Sequence, residues 1–203
     1  AHDFNNILTP ILGYTELAML DTPAGSPVPE YLEQILNASN RARDLVKQIL
    51  AFSRQGETDC IHLQPAHVLK EAIKMLRPTL PTTIEIKKDI SQTDDTVFAD
   101  PTQLNQVFMN LSTNAFHAME ESGGILEIRM MKVVLSAEDL IKDPDTQPGP
   151  FIKISVADSG TGIPPEIRDR IFDPYFTTKE MGKGTGMGLA IAHGIVKSYG
   201  GLI

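Results

Sequence analysis

Between residues 4 and 20 the positions Phe4, Ile7, Leu8, Ile11, Leu12, Thr15, Ala18 and Met19 recur three and four apart, the spacing of one helix face. Pro10 sits inside that pattern and is expected to bend the helix or free a carbonyl. The breaker segment DTPAGSPVP follows at residues 21–29. A second helix is predicted from about Glu30 to Ser53, with Leu32, Ile35, Leu36, Ser39, Ala42, Leu45, Val46, Ile49 and Phe52 on one face. Two amphipathic helices joined by a short connection form an antiparallel pair. A pair alone leaves each apolar stripe half covered, so a four-helix bundle in a dimer is the economical arrangement. The polar link QGETD closes this part at residues 55–59.

Beyond it the periodicity mixes. A short strand is predicted over Ile61–Gln64, then a helix over Pro65–Leu76 burying Val68, Leu69, Ala72, Ile73 and Leu76. Thr83–Lys88 and Thr96–Ala99 read as strands. Asp100-Pro101 supplies an N-cap and a first-turn proline, so a helix is expected from there to about Ser122, with Leu104, Val107, Phe108, Leu111, Ala115 and Met119 facing inward. Ile125–Leu135 and Phe151–Ala157 read as paired strands around an acidic, proline-rich excursion at residues 136–150, expected to be solvated. A short helix over Pro164–Phe172, an aperiodic flap over residues 173–183, and a last helix over Met187–Tyr199 complete the chain. Gly200-Gly201 forms that helix's stop. The fold class is therefore α+β, a helical hairpin at residues 1–56 followed by an α/β sandwich at 57–203.

Composition narrows the function classes. The net charge is −8 with both signs interspersed, which gives no nucleic-acid surface. Cys60 is the only cysteine, which excludes an internal disulfide and fits a reducing, cytoplasmic setting. No apolar run reaches the length of a membrane span. The chain begins without methionine and stops as a new apolar segment starts, so it is expected to be a piece of a longer protein.

Two glycine clusters carry the chemistry. An apolar strand ends on Asp158 and turns through Gly160 and Gly162, and a second cluster, Gly184, Gly186 and Gly188, runs straight into a helix. Glycines permit positive φ and close approach, and a helix N-terminus offers free N–H groups and positive potential. Together they predict an anion site for nucleotide phosphates. A buried carboxylate at Asp158 would accept from an exocyclic amino group, which makes adenine the expected base. At the other end, His2, Asp3 and Asn6 bring an imidazole, a carboxylate and an amide within two turns. His2 reads either as a surface histidine or as a group whose proton Asp3 takes or orients. Asn110 and Asn114, one turn apart, read equally as a satisfied amide pair or as a metal-water or phosphate contact. His62, His67, His117 and His193 are scattered and read as ordinary surface or core residues, and nothing has metal-ligand spacing.

These stretches, taken in order, resemble the transmitter core of a bacterial two-component sensor histidine kinase over nearly the whole chain. HDFNNILTPILGY at residues 2–14 is similar to the phospho-acceptor box, and QVFMNLSTNAFHAM at 106–119 to the N box. VADSGTGI at 156–163 and GKGTGMGLAIAHGIV at 182–196 are similar to the two glycine boxes, with RIFDPYFTTK at 170–179 as the phenylalanine box between them. The resemblance implies a dimerisation and phosphotransfer hairpin followed by a Bergerat (GHKL ATPase) sandwich, with ATP and Mg²⁺ as cofactors. It implies His2 as phospho-acceptor, Asp3 as its acid/base partner, and Asn6 beside them. Asn114, with Asn110, would hold Mg²⁺ and phosphate. Asp158, Gly160, Gly162 and Ile163 would form the adenine pocket. Gly184, Thr185, Gly186, Met187, Gly188 and Leu189 would receive the phosphates, with Phe172, Phe176, Thr178, Lys179 and Lys183 in the lid. The implied partners are a second copy, through the hairpin, and the receiver domain of a response regulator. Phosphatase activity toward that receiver is an implied second function, and inner-membrane anchoring would belong to parts of the parent outside this chain.

The chain departs from the family in four places. The early proline is Pro10 where relatives carry one at the position of Ile7, and Asp3 stands for the usual glutamate. Only one residue precedes His2, and the closing strands stop at Leu202-Ile203. Hydrolytic ATPases of the same fold place a glutamate at the position of Asn110 to activate water, which an amide cannot do. The rival readings are such an ATPase, a serine protein kinase of the mitochondrial type, or a silent ATP-binding scaffold.

Overall fold

A computed structural model describes residues 2–23, 28–36, 38–39, 59–91, 95–141, 143, 146–179 and 184–203, with the backbone alone for residues 2–6. The chain divides into two compact units, residues 1–57 with 178–185, and residues 58–177 with 186–203.

In the first unit, helix α1 (His2–Asp21) runs unbroken through Pro10. Its apolar residues form two adjacent stripes. Leu8, Leu12, Thr15 and Met19 are at least half-buried, and Thr15 is only 6% exposed, its Oγ1 donating to the Ile11 carbonyl at 2.6 Å. Ile7, Ile11 and Tyr14, one position over, remain exposed. Helix α2 occupies residues 28–36, starting two residues earlier than the pattern predicts. Ser39 is buried as expected, and the predicted inward positions from Ala42 to Phe52 lie outside the described residues.

The second unit is built on a mixed sheet. Strands β2 (Ile84–Ile90), β4 (Gly124–Leu135) and β5 (Gly149–Asp158) lie in the order β2-β4-β5, with β2 parallel and β5 antiparallel to β4. A separate antiparallel ribbon pairs β1 (Ile61–Leu63) with β3 (Val97–Ala99). Helices α3 (Pro65–Leu76), α4 (Pro101–Ala118) and α5 (Gly188–Ser198) supply the apolar cover. Strand alternation sets the core: Leu126, Ile128 and Met130 are buried while Ile125, Arg129 and Met131 are exposed. With Leu69, Ile84, Phe108 and Met119 they form one cluster. Ser112, fully buried between the two N-box asparagines, has a hydroxyl oxygen with no partner among the described residues.

Three predicted elements change. Helix α4 stops at Ala118, short of Ser122, because the chain must reverse there to lay β4 beside β2. Gly123 makes the reversal at φ +65°, its N–H donating to Met119 O at 2.8 Å, and a Cβ on it would meet Thr83 O at 2.7 Å. The segment expected as a helix over 164–172 is a 3₁₀ turn, Pro165–Arg170. The 136–150 excursion is not simply solvated. Leu140 is 4% exposed, and Asp143 accepts from Lys197 Nζ of α5 at 2.5 Å, so apolar burial and an ion pair dock the loop.

Candidate functional site

The site of the second unit is assembled where β5, α4 and α5 end or begin. Asp158 is the last residue of β5. It is exposed, against the expectation of a buried carboxylate, because the strand gives way there to the turn rather than running under a helix. Its Oδ1 accepts from Gly160 N at 2.9 Å and so fixes the turn; its other oxygen has no partner among the described residues. Thr161 N donates to the Ala118 carbonyl at 3.3 Å, and Ser159 Oγ accepts from Ile125 N at 2.9 Å. The loop is thereby tied to the end of α4 and the start of β4.

The glycines divide into two kinds. A Cβ on Gly160 would lie 2.4 Å from Ala118 O, and one on Gly186 would lie 2.4 Å from Tyr175 C. These two are glycine because protein backbone occupies the space. A Cβ on Gly162 would meet nothing within 4 Å, and one on Gly188 only Asn110 atoms at 3.8–3.9 Å. Backbone contact does not explain glycine at these two positions, and Gly162 instead holds φ +71°.

Helix α5 begins with no side chain capping it. By contrast, Asp100 caps α4, its Oδ1 accepting from Thr102 N at 2.7 Å and Gln103 N at 3.4 Å. The first-turn N–H groups of α5 therefore retain their affinity for an anion. Asn110 joins the helices, donating from Nδ2 to Gly188 O at 2.9 Å. Asn114 is half-buried one turn on, with no side-chain hydrogen bond among the described residues. No group of three His, Cys, Asp or Glu side chains gathers as a metal site among the described residues. Amide oxygens fit Mg²⁺ nonetheless, since that ion uses few protein ligands and completes its shell with phosphate and water.

Phe172 and Phe176 are half-buried, Met187 is buried, Leu189 is half-buried and Ile163 is 46% exposed. Thr178, Lys179, Gly184 and Thr185 fall in the other unit, and Lys183 lies outside the described residues. The α1 backbone puts His2 and Asn6 one turn apart, with Asp3 between; their side chains lie outside the described set. An apolar cavity of about 300 Å³ between α3 and α4, lined by Val68, Ala72, Met75, Pro101 and Asn105 among others, shares none of these residues.

Sequence reasoning missed three contacts. His193 stacks on Phe172 with centroids 5.0 Å apart, and the Arg170 guanidinium lies 4.4 Å over the Phe176 ring. Tyr199 Oη accepts from Asp100 N at 3.1 Å and donates to Gln103 Oε1 at 2.6 Å, tying the end of α5 to the start of α4. Burial first, with the Cys60 thiol beside it, pushes the Tyr199 phenol above its ordinary pKa. The His193 and Tyr199 contacts join residues far apart in the chain, which no local pattern carries; the Arg170–Phe176 contact spans six residues in a segment without regular periodicity.

The chain resembles known proteins. Residues 99–203 match the family described as histidine kinase-, DNA gyrase B-, and HSP90-like ATPase, and residues 1–58 match the His kinase A (phospho-acceptor) domain. The chain is 38% identical over its whole length to the sensor kinase CckA of Brucella abortus (strain 2308), spanning 21% of that protein. It is 28% identical to the sensory histidine kinase/phosphatase NtrB of Proteus hauseri, spanning 56% of it. Among solved structures, histidine kinase ThkA in complex with response regulator protein TrrA aligns at TM-score 0.62 and 25% identity, over 99% of this chain and 53% of that one. Full-length ShkA in complex with AMPPNP shares the fold at TM-score 0.68 and 23% identity, over 97% and 39%. The chain belongs to the histidine kinase-, DNA gyrase B-, and HSP90-like ATPase family, and within it to the two-component sensor histidine kinases.

Proposed function

We propose that this chain is the transmitter core of a sensor histidine kinase, transferring the γ-phosphoryl group of ATP to His2 and then to an aspartate of a response regulator receiver. The observation that carries the reading is the uncapped start of α5, with open space at Gly188 and the Asn110 and Asn114 amides beside it. That is a polyanion site with amide oxygens rather than a carboxylate next to it. The position that would need a general base for water is Asn110, an amide, which argues against simple hydrolysis.

In this reading residues 1–56 form the dimerisation and phosphotransfer hairpin and 57–203 the ATP-binding domain. The Asp158 oxygen free of Gly160 receives the adenine amino group, and the α5 N–H groups bind and orient the phosphates. Bound Mg²⁺, held through Asn114 and Asn110, would offset phosphate charge. A ring nitrogen of His2 attacks the γ-phosphorus as Asp3 holds the proton of the other nitrogen; the N–P bond forms, the bond to the bridging oxygen breaks, and ADP leaves. The phosphoramidate then passes its phosphoryl group to a receiver carboxylate. A receiver partner is supported by the ThkA–TrrA complex, and a phosphatase side activity through Asp3 and Asn6 by the kinase/phosphatase NtrB. The exposed stripe Ile7, Ile11 and Tyr14 supports a second copy as its cover. A single cysteine and an ATP substrate support a cytoplasmic setting for this core, whether or not the parent is anchored.

The test is phosphorylation of the full-length protein with γ-labelled ATP and Mg²⁺, comparing wild type with His2→Gln and Asn114→Ala. Acid-labile, base-stable label lost in both variants is expected. Steady hydrolysis with no protein-bound label, unchanged in His2→Gln, overturns the reading in favour of an ATPase, and tight nucleotide binding with neither activity favours a scaffold.

A further inference from the structure

The segment 170–176 is clasped from two sides by the glycine-rich turn that leads into α5 and by α5 itself. On one side the Tyr175–Phe176 peptide rests on Gly186, with a would-be Cβ only 2.4 Å from Tyr175 C and 2.8 Å from Phe176 N. Tyr175 holds φ +66° to make that contact, a conformation that survives in a non-glycine residue only where its surroundings enforce it. On the other side the Phe172 ring lies against His193, six residues into α5, at an interplanar angle of 30°. Arg170 braces the segment internally, stacking on Phe176 and lying 3.7 Å from Asp173, while Asp173 N and Phe176 N close successive turns at 2.9 and 3.2 Å. Residues 176 and 186 are thus adjacent.

We propose that His193 is a positioning residue for the segment 170–176, the base of the loop that follows. It holds Phe172 against α5 and so sets that segment relative to the α5 N-terminus. Gly186 meets the Tyr175–Phe176 end by backbone contact, which leaves the Phe172 end to side chains, and the Phe172–His193 stack is such a contact between the segment and α5. Aromatic pairing rather than charge or basicity is what the position requires, so an aromatic residue should serve there and a small one should not. The effect on nucleotide affinity rests on the ATP-binding reading above; the effect on the loop base does not.

The experiment uses the full-length protein and four variants: His193→Ala, His193→Phe, Phe172→Ala, and Phe172→Ala with His193→Ala. It measures binding of a fluorescent non-hydrolysable ATP analogue with Mg²⁺, and amide hydrogen exchange over 170–177 without nucleotide. His193→Ala should bind the analogue roughly three- to ten-fold more weakly and exchange faster over 170–177. His193→Phe should restore both to within about two-fold, and the double variant should be no weaker than Phe172→Ala, since both act through one contact. Unchanged affinity and exchange in His193→Ala overturn the inference, as does loss in His193→Phe equal to that in His193→Ala. Failure of wild type to bind the analogue overturns the ATP reading and the affinity part with it, while the exchange data still decide the loop base.

Discussion

Helices α4 and α5 pack in the same unit and start in opposite ways. At α4 an aspartate fills the helix's own donors, followed by proline at the first helical position, so the end is closed for stability. At α5 the corresponding place is a buried Met187 between two glycines, whose side chain makes no capping hydrogen bond. Asn110, reaching from the middle of α4 to Gly188 O, and Tyr199, reaching from the end of α5 to the start of α4, tie the two helices at both ends of α5. A helix N-terminus is a stability device or a binding device according to who fills it, and in the proposed reading this fold uses one of each.

Substitutions at the two ends should separate these roles. The largest effect belongs to Gly186→Ala: alanine must adopt φ +66° with its Cβ against the Tyr175 backbone, where neither side can yield. A loss of about 3 kcal/mol or more is expected in denaturant unfolding, together with loss of nucleotide binding. Asp100→Ala opens the closed end and should cost about 1 kcal/mol while leaving nucleotide affinity within two-fold, measured by thermal melts and titration. If it weakens nucleotide binding as much as Gly186→Ala does, the division of roles is wrong.

Tyr199→Phe removes the tie between the helices and should cost about 1 kcal/mol near neutral pH. The phenol's raised pKa adds an alkaline signature. The unfolded chain releases this proton near pH 10 and the folded chain only above that, so the contribution is complete below about pH 10 and declines as pH rises further. The wild type should lose stability across that range more steeply than Tyr199→Phe. The smallest effect, and opposite in sign, is expected for Gly188→Ala. Its Cβ meets only ordinary contacts, and alanine favours a helix over glycine by up to about 1 kcal/mol, so melting should rise slightly. The same methyl enters the space open to ligand, so affinity should fall as stability rises.

A second contrast lies between the units. The α/β unit buries Leu69, Ile84, Leu126 and Ile128 completely, whereas on α1 the one buried side chain among the described residues is Thr15. Periodicity found the α1 face correctly, including Thr15, but could not say that Leu8, Leu12 and Met19 would be covered while Ile7 and Ile11 stay bare. Coverage depends on what packs there, which spacing does not encode. The N-cap at Asp100, the strand alternation through Leu126, Ile128 and Met130, and the stop at Gly200, where Gly201 N donates to Val196 O at 2.9 Å, were legible because each is a local rule. The burial assumed for Asp158, the end set for α4 and the solvation assumed for 136–150 went wrong for one reason: each turned on a neighbour distant in the chain.

By itself the sequence determined the order of elements and the family motifs with their spacing, because helix period, strand alternation, capping and glycine placement act within a few residues. Only the tertiary structure decided which glycines lie against backbone and which do not, that Asn110 is spent on Gly188, and that His193 leans on Phe172. Those depend on surfaces meeting across tens of residues, where packing geometry rather than residue type selects the contact.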